Sequence, residues 1–98
     1  MVSLRLGDSR ADLRGIALAQ ADAFDRFFDR WFPRVFRHAE LRLGEGGAAQ
    51  EVCRAVLAAA CHAAADVASE RSVARWMLSR TESEIRKAVA RSRADQEA

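Results

Sequence analysis

Cys53, Cys61, His38 and His62 are the only thiols and imidazoles in the chain. Cys53 and Cys61 fall in one stretch with helical patterning, where eight residues rise about 12 Å, too far to close a disulfide or share one metal ion. Cys61 and His62 are adjacent, so they point about 100° apart around a helix and do not chelate together. The cysteines therefore read as small buried thiols on an Ala-rich face, and His38, beside Arg37, as a surface residue. No carboxylate pair sits at helical spacing beside a histidine or another nucleophile. Gly44-Glu45-Gly46-Gly47 follows a helical pattern and reads as a turn rather than a phosphate loop. The sequence thus offers no catalytic constellation and calls for no metal or cofactor.

A second kind of chemistry is recognition of a polyanion. Arg75, Trp76 and Arg80 place cations around an aromatic, and Arg86, Lys87, Arg91 and Arg93 follow with no acid among them. Cations in the last turns of a helix are also favoured by its dipole, which accounts for the cluster without any ligand. The other reading is a nucleic-acid contact. The overall balance, 16 basic residues against 14 acidic, is too mild to choose between them.

The elements that must position these residues are helices. Alanine occurs 21 times, proline once, and asparagine and tyrosine are absent, an inventory that starves turns and favours helix. Half of the residues are apolar and 31% charged, the balance of a folded globular domain. Residues 1–9 read as a flexible arm, with Asp8 or Ser9 as a cap for a first helix over 10–20 that turns Leu13, Ile16, Ala17 and Leu18 inward and is weakened by Gly15. Phe24, Phe27, Phe28, Trp31, Val35, Phe36, Ala39 and Leu43 recur at steps of three and four, the apolar stripe of a second helix. Pro33 should kink or restart that helix, and Gly44 to Gly47 end it. A third helix spans 48–68, with Val52, Val56, Ala59, Ala60, Ala63 and Val67 on one side. After a break at 69–72, in which Ser69 or Ser72 can act as a cap, a fourth helix over 72–93 carries Val73, Trp76, Met77, Ile85, Ala88 and Val89 inward. Residues 94–98 should fray. The expectation is an all-α, compact four-helix domain over 10–93. With seven residues as the longest apolar run and no signal-like N-terminal stretch, it is expected to be cytoplasmic and off the membrane.

The order of these pieces resembles a known module. The run from Asp22 to His38, in which an acidic-Ala-Phe opening leads to aromatics, the Pro33-Arg34 pair and more aromatics, resembles the start of region 2 of sigma-70 family transcription factors, closest to the extracytoplasmic-function branch. Arg42-Leu43-Gly44 matches the close of that helix. Ser72-Val73-Ala74-Arg75-Trp76-Met77-Leu78 is similar to the family's Ser-Phe-Arg-Ala-Trp-Leu segment, and the Arg-rich tail follows as it does there. The likeness covers about residues 10–93. It implies a sigma-factor-like transcription initiation module that binds core RNA polymerase and −10 promoter DNA. Carried over position by position, it implies a polymerase surface at Gln50, Cys53, Arg54 and Leu57. It implies a DNA surface at Arg75, Trp76, Arg80, Arg86, Lys87, Arg91 and Arg93, where cations hold phosphates and aromatic or polar pockets receive bases.

Two positions differ in sign from the family pattern. Arg54 stands where the docking helix carries an acid, and Glu82-Ser83 stand where the DNA helix carries Arg-Asn. Promoter activity is accordingly expected to be altered or reduced. These reversals also motivate an alternative function, a repurposed helical scaffold that serves a protein partner or a homodimer without promoter recognition. The likeness ends with region 2 and does not extend to the helix-turn-helix domain that follows it in the family.

Overall fold

Alternating three- and four-residue apolar spacing folds the chain into five helices in a computed structural model that describes residues 8–44 and 46–97. In chain order these are α1 (Ser9–Ala17), α2 (Ala21–Leu43), α3 (Gly47–His62), α4 (Ala64–Ala68) and α5 (Val73–Glu97), and no strand occurs among the described residues. The all-α expectation holds. The count differs by one, because the third stretch breaks at Ala63 (φ −110°, ψ 32°) into α3 and the short α4.

The core is assembled as the stripes require. Phe27, Trp31, Val35 and Ala39 of α2 meet Val52, Cys53, Val56 and Ala60 of α3, while Leu13 of α1, Val67 of α4 and Met77, Ile85 and Ala88 of α5 close the remaining sides. Four inward expectations fail, since Ala17, Leu18, Phe24 and Val89 are exposed, while Trp76, like Ile16, Phe28, Phe36, Leu43 and Ala63, is partly buried against the core. Leu18 lies beyond α1 as its C-cap residue, and Ala17, Phe24 and Val89 border the buried faces of their helices.

Helix α2 runs past Pro33 without restarting. The proline removes one helical hydrogen bond, but burial of Trp31 and Val35 on either side holds both halves of the helix on the same core. At the other end of the chain residues 94–97, expected as a frayed tail, are helical. Helix α5 continues through Glu97, which its good helix formers Ala, Arg, Gln and Glu permit. Ala98, like residues 1–7 of the expected arm, lies outside the described residues. Ser9 leaves that arm and opens α1, buried, where its Oγ accepts a hydrogen bond from the Trp31 indole N–H at 2.8 Å. Asp8 occupies the cap position without a side-chain cap bond. Ser72 does cap α5, its Oγ accepting from the Arg75 N–H at 3.1 Å.

Gly15 has a more specific task than weakening α1. A Cβ placed there would come within 2.6 Å of the Ala23 Cβ, so its absence lets α1 and α2 approach. The reversal between them is a Schellman turn. Gln20 N–H bonds the Gly15 carbonyl and Ala19 N–H the Ile16 carbonyl, both at 2.9 Å. Ala19 takes φ +60° to close it, a left-handed conformation that costs an L-residue about 1 kcal/mol. Ala19→Gly is therefore expected to raise the unfolding free energy by about 0.5–1 kcal/mol in urea denaturation. An unchanged midpoint would remove the strain assigned to this residue.

Candidate functional site

Helix α5 turns about 100° per residue, and this separates its seven candidate DNA residues into two stripes. Arg75, Arg86 and Arg93 fall together on the side away from the core and are exposed. Trp76, Arg80, Lys87 and Arg91 fall on one flank, bordering the buried face that carries Met77, Glu84 and Ala88. Two of the flank cations share a carboxylate. Glu84, buried, accepts from Arg80 Nε at 3.2 Å and from Lys87 Nζ at 3.3 Å. The sequence-predicted set is thus one helix but two faces.

Where the stripes meet, at the N-terminal end of α5, lies a polar recess of about 430 Å³ lined by Glu70, Arg71, Ser72, Arg75, Trp76 and Ser79. Its half-buried indole offers an aromatic face, and its cations and hydroxyls offer partners for a polar edge or a phosphate.

The sequence-predicted polymerase residues separate in depth. Gln50 and Arg54 are exposed on α3, Leu57 is buried at the edge, and Cys53 is 0% exposed in the core. Cys53 therefore cannot meet a partner directly. It shares its face of α3 with Ala49, Val56 and Ala60, and its thiol donates to the Phe32 carbonyl at 3.6 Å. Burial pushes that thiol up to about 11 and raises Cys61 in the same direction, so neither is primed as a thiolate.

Gln50, Arg54 and Leu57 instead border a groove of about 500 Å³ between α2 and α3, whose other wall is Phe24, Phe28 and Phe32. With Phe36 these rings form a ladder along α2, with centroids 5.7, 4.9 and 5.7 Å apart. The i, i+4 spacing is legible in the sequence, but the sequence reading placed Phe24, Phe28 and Phe36 on the inward stripe and left Phe32 off it. In fact Phe24 is 43% exposed and the next three are partly buried, so the ladder is a rim of the core that also faces outward.

The opposite edge of α2 carries Arg26, Arg30, Arg34, His38 and Arg42, again at steps of four. Arg26 Nε donates to Asp12 at 2.9 Å, and Arg30 bonds the same buried carboxylate. Arg34 lies over the Trp31 ring, 5.4 Å from its centroid. His38, read from the sequence as a surface residue, is half-buried. Its Nε2 bonds the Glu82 carboxylate, which also accepts from Arg42 Nη1 at 2.7 Å. Glu82, at one of the two sign-reversed positions, thereby clasps α5 to α2.

The Arg42 hydrogen bond, followed by that from His38, holds the Glu82 carboxyl below its ordinary value of 4.5. A carboxylate lowered on folding stabilises the fold above its unfolded value and loses that contribution as pH falls through the folded one. The stability gap between the native chain and Glu82→Gln is therefore expected to stay level from neutral pH to about 5 and to shrink below 4.5. A gap independent of pH in denaturation at pH 3–7 would exclude the clasp.

Among the described residues, no three of His, Cys, Asp and Glu gather to hold a metal ion, and no helix is long and apolar enough to cross a membrane. No family model, curated protein or solved structure matches the chain.

Proposed function

We propose that this chain is a sigma-factor region 2-like module of transcription initiation, which captures single-stranded −10 promoter DNA on α5 and docks on core RNA polymerase through the α2–α3 groove. The observation that carries the reading is the recess at the start of α5. There Trp76 lines one hollow with Arg71, Arg75, Glu70 and two serines, and Arg80, Lys87 and Arg91 continue along the same flank. Stacking of a base on an aromatic and pairing of phosphates with cations are the two elementary contacts of single-strand recognition. The family resemblance supplies the polymerase partner. Gln50 and Arg54 would form the polar edge of that contact and Leu57 its apolar edge, with Cys53 supporting the helix from behind. Arg86 and Arg93, on the outer face with Arg75, would add electrostatic attraction to the duplex alongside.

Native chain is expected to bind a −10-like single-stranded oligonucleotide with an affinity that falls linearly on a logarithmic salt scale. Trp76→Ala should weaken that binding about tenfold, the equivalent of one base-stacking contact, and core polymerase should copurify with the native chain. Absence of both interactions at low salt would refute the proposal.

A second reading draws on the groove. Phe24 is 43% exposed beside Arg54, which stands where the family pattern has an acid, and an apolar rim of the wrong charge for one partner suits another. In that case the scaffold serves a different protein or a second copy of itself. Light scattering that gives a dimer, with dissociation on Phe24→Ala and no polymerase recovered, would favour it over the first.

A further inference from the structure

On the side of α2 away from the aromatic ladder, four arginines from three parts of the chain converge on one recess. Arg10 of α1, Arg30 and Arg34 of α2, and Arg71 of the segment before α5 line a hollow of about 310 Å³, together with Ser9 and Ser72. Gathering like charges this closely is unfavourable unless something offsets it. The partners that orient Arg10 and Arg34 leave their charge uncancelled. Arg10 is held by the carbonyl oxygens of Ala68, Glu70 and Arg71, and Arg34 by the face of the Trp31 ring. Carbonyls and an aromatic face fix a guanidinium in place without neutralising it. Asp12 bonds Arg30 from within the core, where it is also shared with Arg26. The result is three anchored planar donors, with the exposed Arg71 beside them, around a space large enough for a tetrahedral oxyanion, a ligand that guanidinium groups hold well.

We propose that this recess binds a phosphate group. The group could belong to a small phosphate-bearing molecule or to the backbone of a nucleic-acid strand, because Arg71 and Ser72 also line the neighbouring Trp76 recess. The inference stands apart from the promoter reading, since it requires neither base recognition nor polymerase.

The test uses the full chain and inorganic phosphate, followed by calorimetry and by thermal unfolding against chloride at matched ionic strength. Phosphate should raise the unfolding midpoint saturably. Arg34→Gln and Arg71→Gln should each weaken phosphate binding about tenfold or more, the usual worth of a charge-assisted hydrogen bond. Arg37→Gln, which removes an exposed cation outside the recess, should leave it unchanged. No saturable response to phosphate, or an equal loss in Arg37→Gln, would overturn the proposal.

Trp76→Ala should retain the phosphate response, so that a failure of single-strand capture is read separately. Two further arms separate the sources of the phosphate. If Arg34→Gln reduces the salt slope of oligothymidylate binding by roughly one contact, the occupant is a strand backbone. If thymidine monophosphate binds and thymidine does not, with the oligonucleotide slope unchanged, it is a free phosphate monoester.

Discussion

Phe27→Ala is expected to remove about 3–5 kcal/mol of unfolding free energy, the cost of deleting a fully enclosed aromatic that its surroundings cannot refill. Phe27 is 0% exposed and is the largest fully buried side chain among the described residues, with its ring 6.4 Å from that of Trp31. It stands on α2, the helix that contacts α1, α3 and α5, so the cavity would open at the centre of the bundle. A domain of this size has only about 5–15 kcal/mol in total, and the variant should approach the threshold of folding. Phe24→Ala, one helical turn earlier on the exposed rim, should cost about 1 kcal/mol, because most of what it loses is already in water. Urea denaturation of the pair checks the assignment. Equal losses would mean that ladder and core are not the distinct layers described above.

Asp12→Ala is expected to cost about 3 kcal/mol, near the lower end for removing one partner of a buried ion pair. The Asp12 carboxylate is buried and receives both Arg26 and Arg30. Arg26 is more than half exposed, so water replaces its partner at little cost and most of the loss arises at the more enclosed Arg30. Asp12→Asn keeps one acceptor oxygen and should recover part of the difference. A double-mutant cycle with Arg26→Ala should give a coupling well below 1 kcal/mol, as for exposed pairs. A loss under 1 kcal/mol for Asp12→Ala would show that α1 is held by its other contacts, Leu13, the Ser9–Trp31 bond and the Arg10 bonds, and not by the ion pair.

Helical class, the breaks after Leu43 and after Ala68 and the identity of most core residues are consequences of spacing that any reader of the sequence can follow. Phe24, Phe27, Phe28, Trp31, Val35 and Phe36 recur at steps of three and four, which a helix gathers on one side and a strand, whose faces alternate residue by residue, would split between its two faces. The capping role of Ser72 was equally legible, because a serine before an apolar-periodic run supplies the acceptor that a helix start lacks.

Other features had no local signal. The break at Ala63 falls within a run of alanines, the best helix formers. It arises because α4 turns to lay Ala64, Val67 and Ala68 against α1, where Arg10 binds the carbonyls that follow. Gly15 looks like a weak point in a helix until Ala23 is seen to occupy the space of its missing side chain. Glu82 is one of four acids on α5 with no local partner to mark it out until His38 and Arg42, some forty residues earlier, are brought against it.

The sites divide along the same line. That α5 is basic with an aromatic near its start is a property of sequence. That its cations occupy two faces, that Cys53 turns inward while Gln50 and Arg54 turn outward, and that Arg10, Arg30, Arg34 and Arg71 meet around one recess are not. Periodicity determines which face of each helix is apolar, because it is a property of a single helix. Which charges become neighbours depends on how the helices pack against one another, and only the tertiary structure decides that.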